Sequence, residues 1–275
     1  SSPENSIIDQ IFDYKGDLKP RFSSSFNLLK SPYLNTEYIG FNTQNNIKKD
    51  TLLRSAINSG IDRKKMMQYL RKNIGYPAES GIVPNGLNNS FYLPRYSYDP
   101  ELSKKLISIY KSNNNINEVK ITIVSDSQYL DILEFIQSEL QKVGIQIKIE
   151  ITPPSILRQG KANGNFDAFR ASWIADYPHV ENYFSLFYSK NHTPKGPNYT
   201  FFSDRNFDEL YELIGDKNSI SYQKISNDLE NIIRRYSPII PLYYDMSVRI
   251  VHQSISGLEA NAINQLNLKR VVKKL

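Results

Sequence analysis

The residues with the clearest capacity for chemistry lie in the segment FDAFRASWIADYPHVENYF, residues 166–184. Trp173 is the single tryptophan of the chain, and Asp176 follows it three positions later, where a strand-like run stops at Pro178. Alternation along a strand places Arg170 and Asp176 on one face and Trp173 on the other. Trp173 and Asp176 are therefore either a core residue followed by a turn residue or one wall of a ligand pocket.

The rest of the composition argues against an enzyme, a metal site and a cofactor. Cysteine is absent, which excludes disulfides and thiolate ligands, and the three histidines lie far apart without metal-ligand spacing. The sequence contains no G-x-S-x-G elbow, paired-carboxylate motif or phosphate-binding glycine loop. A hydrolase that uses Asp176 and His179 is the enzymatic alternative. We predict a binding protein that is not an enzyme and that holds no metal or cofactor.

Charge and hydropathy limit the possible partners. The net charge of +6 comes from basic residues that are scattered among 28 acidic ones, so no basic face for nucleic acid is expected. The most basic run, LKRVVKKL at 268–275, is typical of a solvated strand end. No apolar run reaches the roughly 20 residues of a membrane helix. The chain begins SSPENSIIDQ, without a starting methionine or a signal peptide, so we expect a processed or truncated chain.

The elements before residue 119 are indicated by periodicity and capping residues. Alternation predicts a strand at 37–44, and DTLLRSAINSG is followed by a second helix that begins after the N-cap Asp62. Residues 73–98 are rich in glycine, proline, asparagine and serine, which is typical of a surface connection. Asp99 and Pro100 then provide the N-cap and first residue of another helix.

The elements that position the 166–184 segment form a β-α-β pattern at 119–151. A strand with alternating isoleucines leads to an amphipathic helix, Gly144 ends the helix, and IQIKIEI forms a second strand. Strands joined in this way are parallel, with a right-handed connection, which predicts an α/β sheet with helices on its faces. A short helix at PSILRQGKA and a third strand at FDAFRASWIAD follow. In such sheets ligands bind beyond the carboxyl ends of the strands, where Asp176 lies.

The C-terminal part combines helices with extended segments. RNFDELYELIGD and SYQKISNDLENIIRRYS are predicted helices, and Pro238 closes the second. PIIPLYYD and VRIVHQSISGLEAN are predicted to be two extended segments, with Tyr243 and Tyr244 beside a turn.

The order of these segments resembles the C-terminal half of the family 5 extracellular solute-binding proteins, the peptide- and nickel-binding receptors of ABC transporters. The motifs that carry the resemblance are YIGFNTQ, RSAINSGIDRKKMM, GIVPNGL, YDPELSKKLI, LQKVGIQIKIE, FDAFRASWIADYP and PIIPLYYD followed by SISGLE. Together they cover nearly the whole chain.

The resemblance implies a class II periplasmic-binding-protein-like α/β lobe, with a mixed sheet and flanking helices, in a two-lobed receptor. Residues 1–39 would contain the end of the lobe I segment and the first hinge. Residues 40–246 would form lobe II, which binds the ligand, and 247–275 would return to lobe I. The N-terminal part of lobe I would be missing, so the resemblance implies a C-terminal fragment.

The resemblance also implies the site residues. In the family's peptide receptors a W-x-A-D-Y segment lines the cleft, and its aspartate pairs with the α-ammonium group of the peptide. The matching residues are Trp173, Asp176 and Tyr177. Arg170 is placed where some receptors have an arginine that meets a ligand carboxylate. At the second hinge Tyr243 and Tyr244 are the remaining predicted contacts, with simple packing as their alternative.

The function implied is that of the substrate-binding component of an ABC transporter, which delivers peptides to membrane permease subunits. The expected location is the periplasm or the outside of the cytoplasmic membrane, with membrane contact only through a lipid anchor on the missing N-terminal segment. Two departures from the family pattern, PPSIL at 153–157 and His179, leave the ligand open. The alternatives are a nickel-chelate or saccharide receptor of the same family and the ligand-sensing domain of a transcription regulator.

Overall fold

The computed structural model describes residues 8–44, 50–87, 96–214 and 220–274, and its centre is a six-stranded mixed sheet. The strands are β1 Phe26–Phe41, β2 Tyr76–Pro77, β3 Val119–Ser125, β4 Ile145–Ile151, β5 Ala168–Ile174 and β6 Ile239–His252. They lie in the order β2-β6-β1-β5-β3-β4. The first four are antiparallel neighbours, whereas β3 runs parallel to both β5 and β4. The predicted mixed sheet is confirmed.

Helices cover both faces of this sheet. They are α1 Pro20–Ser23, α2 Thr51–Gly60, α3 Arg63–Arg71, α4 Pro100–Asn114, α5 Leu130–Gln141, α6 Pro154–Ala162, α7 Glu181–Phe184, α8 Arg205–Glu212 and α9 Ile220–Tyr236. Helices α2 to α5 pack in one buried cluster, which includes Ile39 of β1 and Ala168 of β5. Helices α6 to α9 pack in another, which includes the adjacent residues of the same strands, Tyr38 and Phe169. Because neighbouring strand residues point to opposite faces, the two clusters are the two sides of one sheet.

Several local predictions are confirmed. The Asp62 side chain accepts a hydrogen bond from the Lys65 amide at 3.0 Å at the start of α3. Asp99 does the same for Leu102 at 2.9 Å at the start of α4. The β3-α5-β4 unit is parallel, as its pattern predicted, and Gly144 has a φ of +86°, a conformation that favours glycine.

Other predicted boundaries were wrong. Strand β1 begins at Phe26 and ends at Phe41, instead of covering 37–44, because its first half is held by pairing with β6 rather than by its own alternation. The two predicted C-terminal extended segments are largely one strand, β6, and only a short strand β7, Ile255–Ser256, follows it and pairs with β8, Val272–Lys273. Strand β2 lies inside the predicted connection 73–98, of which residues 88–95 lie outside the described residues.

Burial changes abruptly along β1. Residues 26–33 are exposed or half-buried, whereas residues 34–41 are all buried. A register shift between Pro32 and Thr36 interrupts the pairing with β6 at the same place. The first half of β1 and the second half of β6 therefore form a poorly buried two-stranded ribbon that adjoins the packed sheet. In the described ranges, no helix is both long and apolar enough to cross a membrane.

Candidate ligand-binding site

Large apolar side chains are exposed at the carboxyl ends of the three parallel strands. Strands β3 and β4 end together, since Ser125 pairs with Ile151. Strand β5 runs in the same direction but begins where β3 ends, since Val124 pairs with Phe169, so its carboxyl end lies beyond those of β3 and β4. At or just after these strand ends, large apolar side chains are 37–51% exposed: Leu130, Ile151, Ile156, Ile174 and Tyr177. An edge of this kind is where α/β sheets bind ligands, and its apolar character suits a covered surface.

Trp173 contributes to both the core and this edge. It is half-buried and packs against the cluster that contains α6 to α9. Its indole Nε1 donates a hydrogen bond to Asn182 Oδ1 at 2.8 Å, which ties the end of β5 to helix α7. A buried indole N–H usually finds such a partner, so the ring is held in one orientation with part of its surface still accessible.

Asp176 lies in the exposed loop that follows β5. Its carboxylate makes no hydrogen bond or ion pair with another residue that the structure describes. The adjacent Tyr177 is exposed, and its hydroxyl donates to Glu181, which also accepts from Tyr211 of α8. Burial and the hydrogen bond to Glu181 raise the pKa of Tyr177, which therefore stays protonated as a donor. The hydrogen bond from Tyr177 to Glu181 thus holds the loop in place, while the Asp176 carboxylate is left exposed.

Arg170 is already paired inside the protein. Its guanidinium donates to the carboxylate of Glu37, on the neighbouring strand β1, and both side chains are almost fully buried. The same guanidinium lies over the ring of Tyr129, with Cζ 3.0 Å from the ring centroid. Burial raises the pKa of the Glu37 carboxyl, and the charge of Arg170 opposes that shift. The contact between Arg170 and Glu37 was not predicted from the sequence, although an acid within a predicted strand was a signal for it.

A second charged pair lies beside the first and links α3 to β6. Arg71 donates to Asp245 Oδ1 at 3.2 Å, and Asn35 donates to Asp245 Oδ2 at 2.5 Å and to Glu37 Oε1 at 3.1 Å. The four charged groups and Asn35 form one network on β1, β5, β6 and α3, which we call the charge network. Opposite charges are balanced within it, so it fixes these elements relative to one another without net charge.

Tyr243 and Tyr244 are buried in the packed part of the lobe, with 2% and 1% of their surfaces exposed. The guanidinium of Arg71 lies 5.1 Å from the Tyr243 ring centroid. The Tyr244 hydroxyl donates to the Gly81 carbonyl at 2.9 Å and accepts from the Gly81 amide at 3.1 Å. Neither ring is exposed at the carboxyl edge. Their packing roles are clear, and the predicted ligand contact of each stays a prediction.

The chain matches the model of the bacterial extracellular solute-binding proteins, family 5, over residues 3–195. The chain belongs to this family. As a family 5 chain it is 22% identical over 263 residues to the probable di/tripeptide-binding protein 5 of Pseudomonas aeruginosa, covering 92% of this chain and 49% of the relative. It is 23% identical over 250 residues to the periplasmic murein peptide-binding protein MppA of Escherichia coli, covering 84% and 44%.

Solved structures of similar proteins support the fold of this family 5 chain. HbpA2 from Haemophilus parasuis matches with a TM-score of 0.80 and 22% identity, covering 99% of this chain and 53% of that one. The periplasmic binding protein DppA from Helicobacter pylori, in complex with the peptide STSA, matches with a TM-score of 0.79 and 22% identity, covering 100% and 52%. The predicted family and the periplasmic-binding-protein-like fold are confirmed, and the chain spans about half the length of these proteins.

The family and the named relatives are binding proteins rather than enzymes. Within the described residues, no three histidine, cysteine, aspartate or glutamate side chains are grouped so that they could hold a metal ion.

Proposed function

We propose that this chain forms the peptide-binding lobe of the substrate-binding component of an ABC transporter. The observation that carries the proposal is the exposed, unpaired carboxylate of Asp176, next to Trp173 at the carboxyl end of β5, in a chain of this family. A carboxylate forms charge-assisted hydrogen bonds with an ammonium group, so Asp176 is suited to hold the N-terminus of a peptide. Trp173 and Tyr177 provide apolar surface beside it.

The names of the relatives support peptides as the ligand class. The relatives are described as binding di/tripeptides and murein peptides, and one similar structure holds the peptide STSA. An edge that combines one free carboxylate with exposed apolar side chains fits a peptide better than a sugar or a phosphate.

The proposed mechanism is closure of two lobes around the peptide. Residues 40–246 would form the ligand-binding lobe, and 1–39 and 247–275 would lead to the other lobe. The change in burial at residues 33–34 and the register shift between Pro32 and Thr36 lie several residues before that boundary, and they support a hinge where β1 leaves the packed sheet. The exposed apolar edge would be covered in the closed state, which the ligand stabilises by contacting both lobes.

The remaining predicted residues have different parts in this proposal. The charge of Arg170 is paired with Glu37, but its buried Nε has no hydrogen-bond partner among the described residues, so Arg170 stays a proposed ligand contact. Tyr243 and Tyr244 support the second hinge crossing from inside the lobe. The proposed partners are a peptide ligand and the permease subunits. The proposed location is the periplasm or the outside of the cytoplasmic membrane, with a lipid anchor as the only membrane attachment.

The test is calorimetric titration of the product of the complete reading frame with alanine peptides of two to five residues. Each peptide is used with a free and with an acetylated N-terminus. For Asp176→Asn we expect a loss of about 30-fold or more for free peptides, the usual effect of leaving a buried charge without its partner. Acetylated peptides should bind the wild type weakly and lose little more on mutation.

The matched control is Asp167→Asn, which removes an exposed aspartate at the other end of β5 and should bind like the wild type. If free and acetylated peptides bind the wild type equally well, Asp176 is an ordinary turn residue. Binding of a nickel chelate or an oligosaccharide in place of every peptide would favour the alternative receptors.

A further inference from the structure

Asn182 is a buried residue whose side-chain amide contacts two aromatic residues of the candidate site. It is 4% exposed and is the second residue of the short helix α7. Its Oδ1 accepts the hydrogen bond from the Trp173 indole at 2.8 Å. An indole N–H can only donate, so this contact fixes the orientation of the amide, with Oδ1 towards Trp173 and Nδ2 on the other side.

The other side of the amide faces Tyr177. Burial and the hydrogen bond to Glu181 raise the pKa of Tyr177, and a hydrogen bond with the side chain of Asn182 opposes that rise. A hydrogen bond lowers the pKa of a phenol when the partner donates to the phenol oxygen, which identifies Nδ2 as the group that contacts Tyr177. One side-chain amide therefore joins Trp173 and Tyr177, which stand on either side of Asp176 in the chain.

The helix that carries Asn182 is fixed in the core. Tyr183 and Phe184, the next two residues of α7, are fully buried in the cluster of α6 to α9. The Tyr183 hydroxyl donates to the Leu34 carbonyl at 2.8 Å, and the same carbonyl accepts from the Ala175 amide at 2.9 Å. Asn182 is thus attached to the packed sheet, and its amide can hold the loop that follows β5.

Both rings keep accessible surface close to Asp176. Trp173 is half-buried, Tyr177 is 47% exposed, and Ile174 is 50% exposed. A peptide whose α-ammonium is held at Asp176 brings the side chain of its first residue to this surface. Removing apolar area from water favours binding, and a ring that is already held in one orientation loses little entropy when a ligand covers it.

We propose that Asn182 is a positioning residue for peptide selection, because by holding Trp173 and Tyr177 it shapes an apolar surface for the first side chain of the peptide. The proposal rests on the peptide-binding function proposed above. Asn182 acts through the two rings and needs no contact with the ligand. The ligand class is thereby narrowed to peptides whose N-terminal residue has an apolar or aromatic side chain.

The experiment compares the tripeptides Phe-Ala-Ala, Ala-Ala-Phe and Ala-Ala-Ala, all with free termini, by calorimetry. It uses the product of the complete reading frame as wild type, Asn182→Leu, Trp173→Phe and the double variant. Leucine has the branched shape of asparagine but neither donates nor accepts hydrogen bonds. The matched control is Asn191→Leu, which removes an amide that donates to the Ser185 carbonyl at 3.0 Å, just after α7.

We expect the wild type to bind Phe-Ala-Ala about 10-fold or more tightly than Ala-Ala-Ala, because a phenyl side chain leaves water, and Ala-Ala-Phe to gain less. Asn182→Leu should lose most of this preference with little change in the affinity for Ala-Ala-Ala, whereas Asn191→Leu should keep it. In the Trp173→Phe background, Asn182→Leu should reduce the preference less than it does in the wild type, because phenylalanine has no N–H for Asn182 to hold.

The fluorescence of Trp173, the single tryptophan, provides a readout that a purely structural role of Asn182 would not change. Phe-Ala-Ala should alter the emission of the wild type more than Ala-Ala-Phe does. In folded Asn182→Leu without peptide, the released ring should be quenched more readily by acrylamide than in the wild type. Thermal unfolding of each variant verifies that it is folded.

Three results would overturn the proposal while peptide binding stands: no wild-type preference for Phe-Ala-Ala, a preference that folded Asn182→Leu retains, or effects of the two substitutions that simply add. If Asn182→Leu does not fold, Trp173→Phe decides alone. It keeps an aromatic ring but loses the contact, so an undiminished preference would count against Asn182. If the wild type binds none of the peptides, the proposed function fails and the role of Asn182 fails with it.

Discussion

Removing the carboxylate of Glu37 should destabilise the lobe far more than removing a carboxylate at its surface. Glu37→Gln keeps the size of the side chain but leaves the guanidinium of Arg170 without its counter-ion. The two side chains are only 4% and 9% exposed, so water cannot replace the lost partner. Breaking a buried ion pair from one side costs about 3–5 kcal/mol.

That cost is a large share of the stability of a domain, which is typically about 5–15 kcal/mol. Urea unfolding has a slope of about 1–3 kcal/mol per molar for small proteins, so the midpoint should fall by at least about 1 M. Replacing both partners, in Glu37→Gln with Arg170→Met, removes the unpaired charge and should recover much of the loss.

The assay is urea unfolding of the 275-residue chain followed by the fluorescence of Trp173, the single tryptophan. Trp173 packs against the buried cluster beside β5 and therefore reports loss of the sheet core. The control is Glu118→Gln, which removes the acid of an exposed ion pair with Lys120 and should leave the midpoint almost unchanged.

The reasoning about the pair is refuted if Glu37→Gln shifts the midpoint no more than Glu118→Gln does. It is also refuted if the losses of Glu37→Gln and Arg170→Met simply add in the double variant. In either case the charges are solvated or compensated by the rest of the charge network.

Two further predictions concern single contacts. Burial raises the pKa of Glu139, but hydrogen bonds from Lys142 and Lys65 outweigh it and hold the pKa below the usual 4.5. The stability that Glu139 contributes is thus present above pH 4.5 and is lost as the pH falls through the folded-state pKa. The urea midpoints of wild type and Glu139→Gln should therefore differ at pH 7 and converge in acid. A difference that stays constant with pH would contradict this role of Glu139. Tyr244→Phe leaves the buried amide and carbonyl of Gly81 without their partner and should cost about 1–3 kcal/mol in thermal unfolding. The exposed Tyr69→Phe is its control, and equal melting of the two variants would rule out the contact as a stabilising one.

Much of the fold could be predicted because its signals are local. The β3-α5-β4 unit follows from a change of apolar period from two to 3.6 and back, and the helix starts at Asp62 and Asp99 follow from side chains that satisfy amides three residues away. The boundaries of β1 and β6 could not be predicted in this way. The first half of β1 is a strand because a segment more than 200 positions away pairs with it.

The sequence by itself determined the elements and the position of Asp176 and Trp173 at a strand end, because each depends on residues within a few positions of one another. It also determined the family, because the family's motifs follow one another in order along the chain. Only the tertiary structure decided which charges are free. Arg170 and Glu37 are 133 positions apart, and they meet because antiparallel register places β1 beside β5. The packing of α6 on that sheet places the Lys161 ammonium over the rings of Phe169 and Tyr199, and it forms no ion pair with a described residue. Pairing of charges depends on distances across elements, which no local pattern of residues encodes.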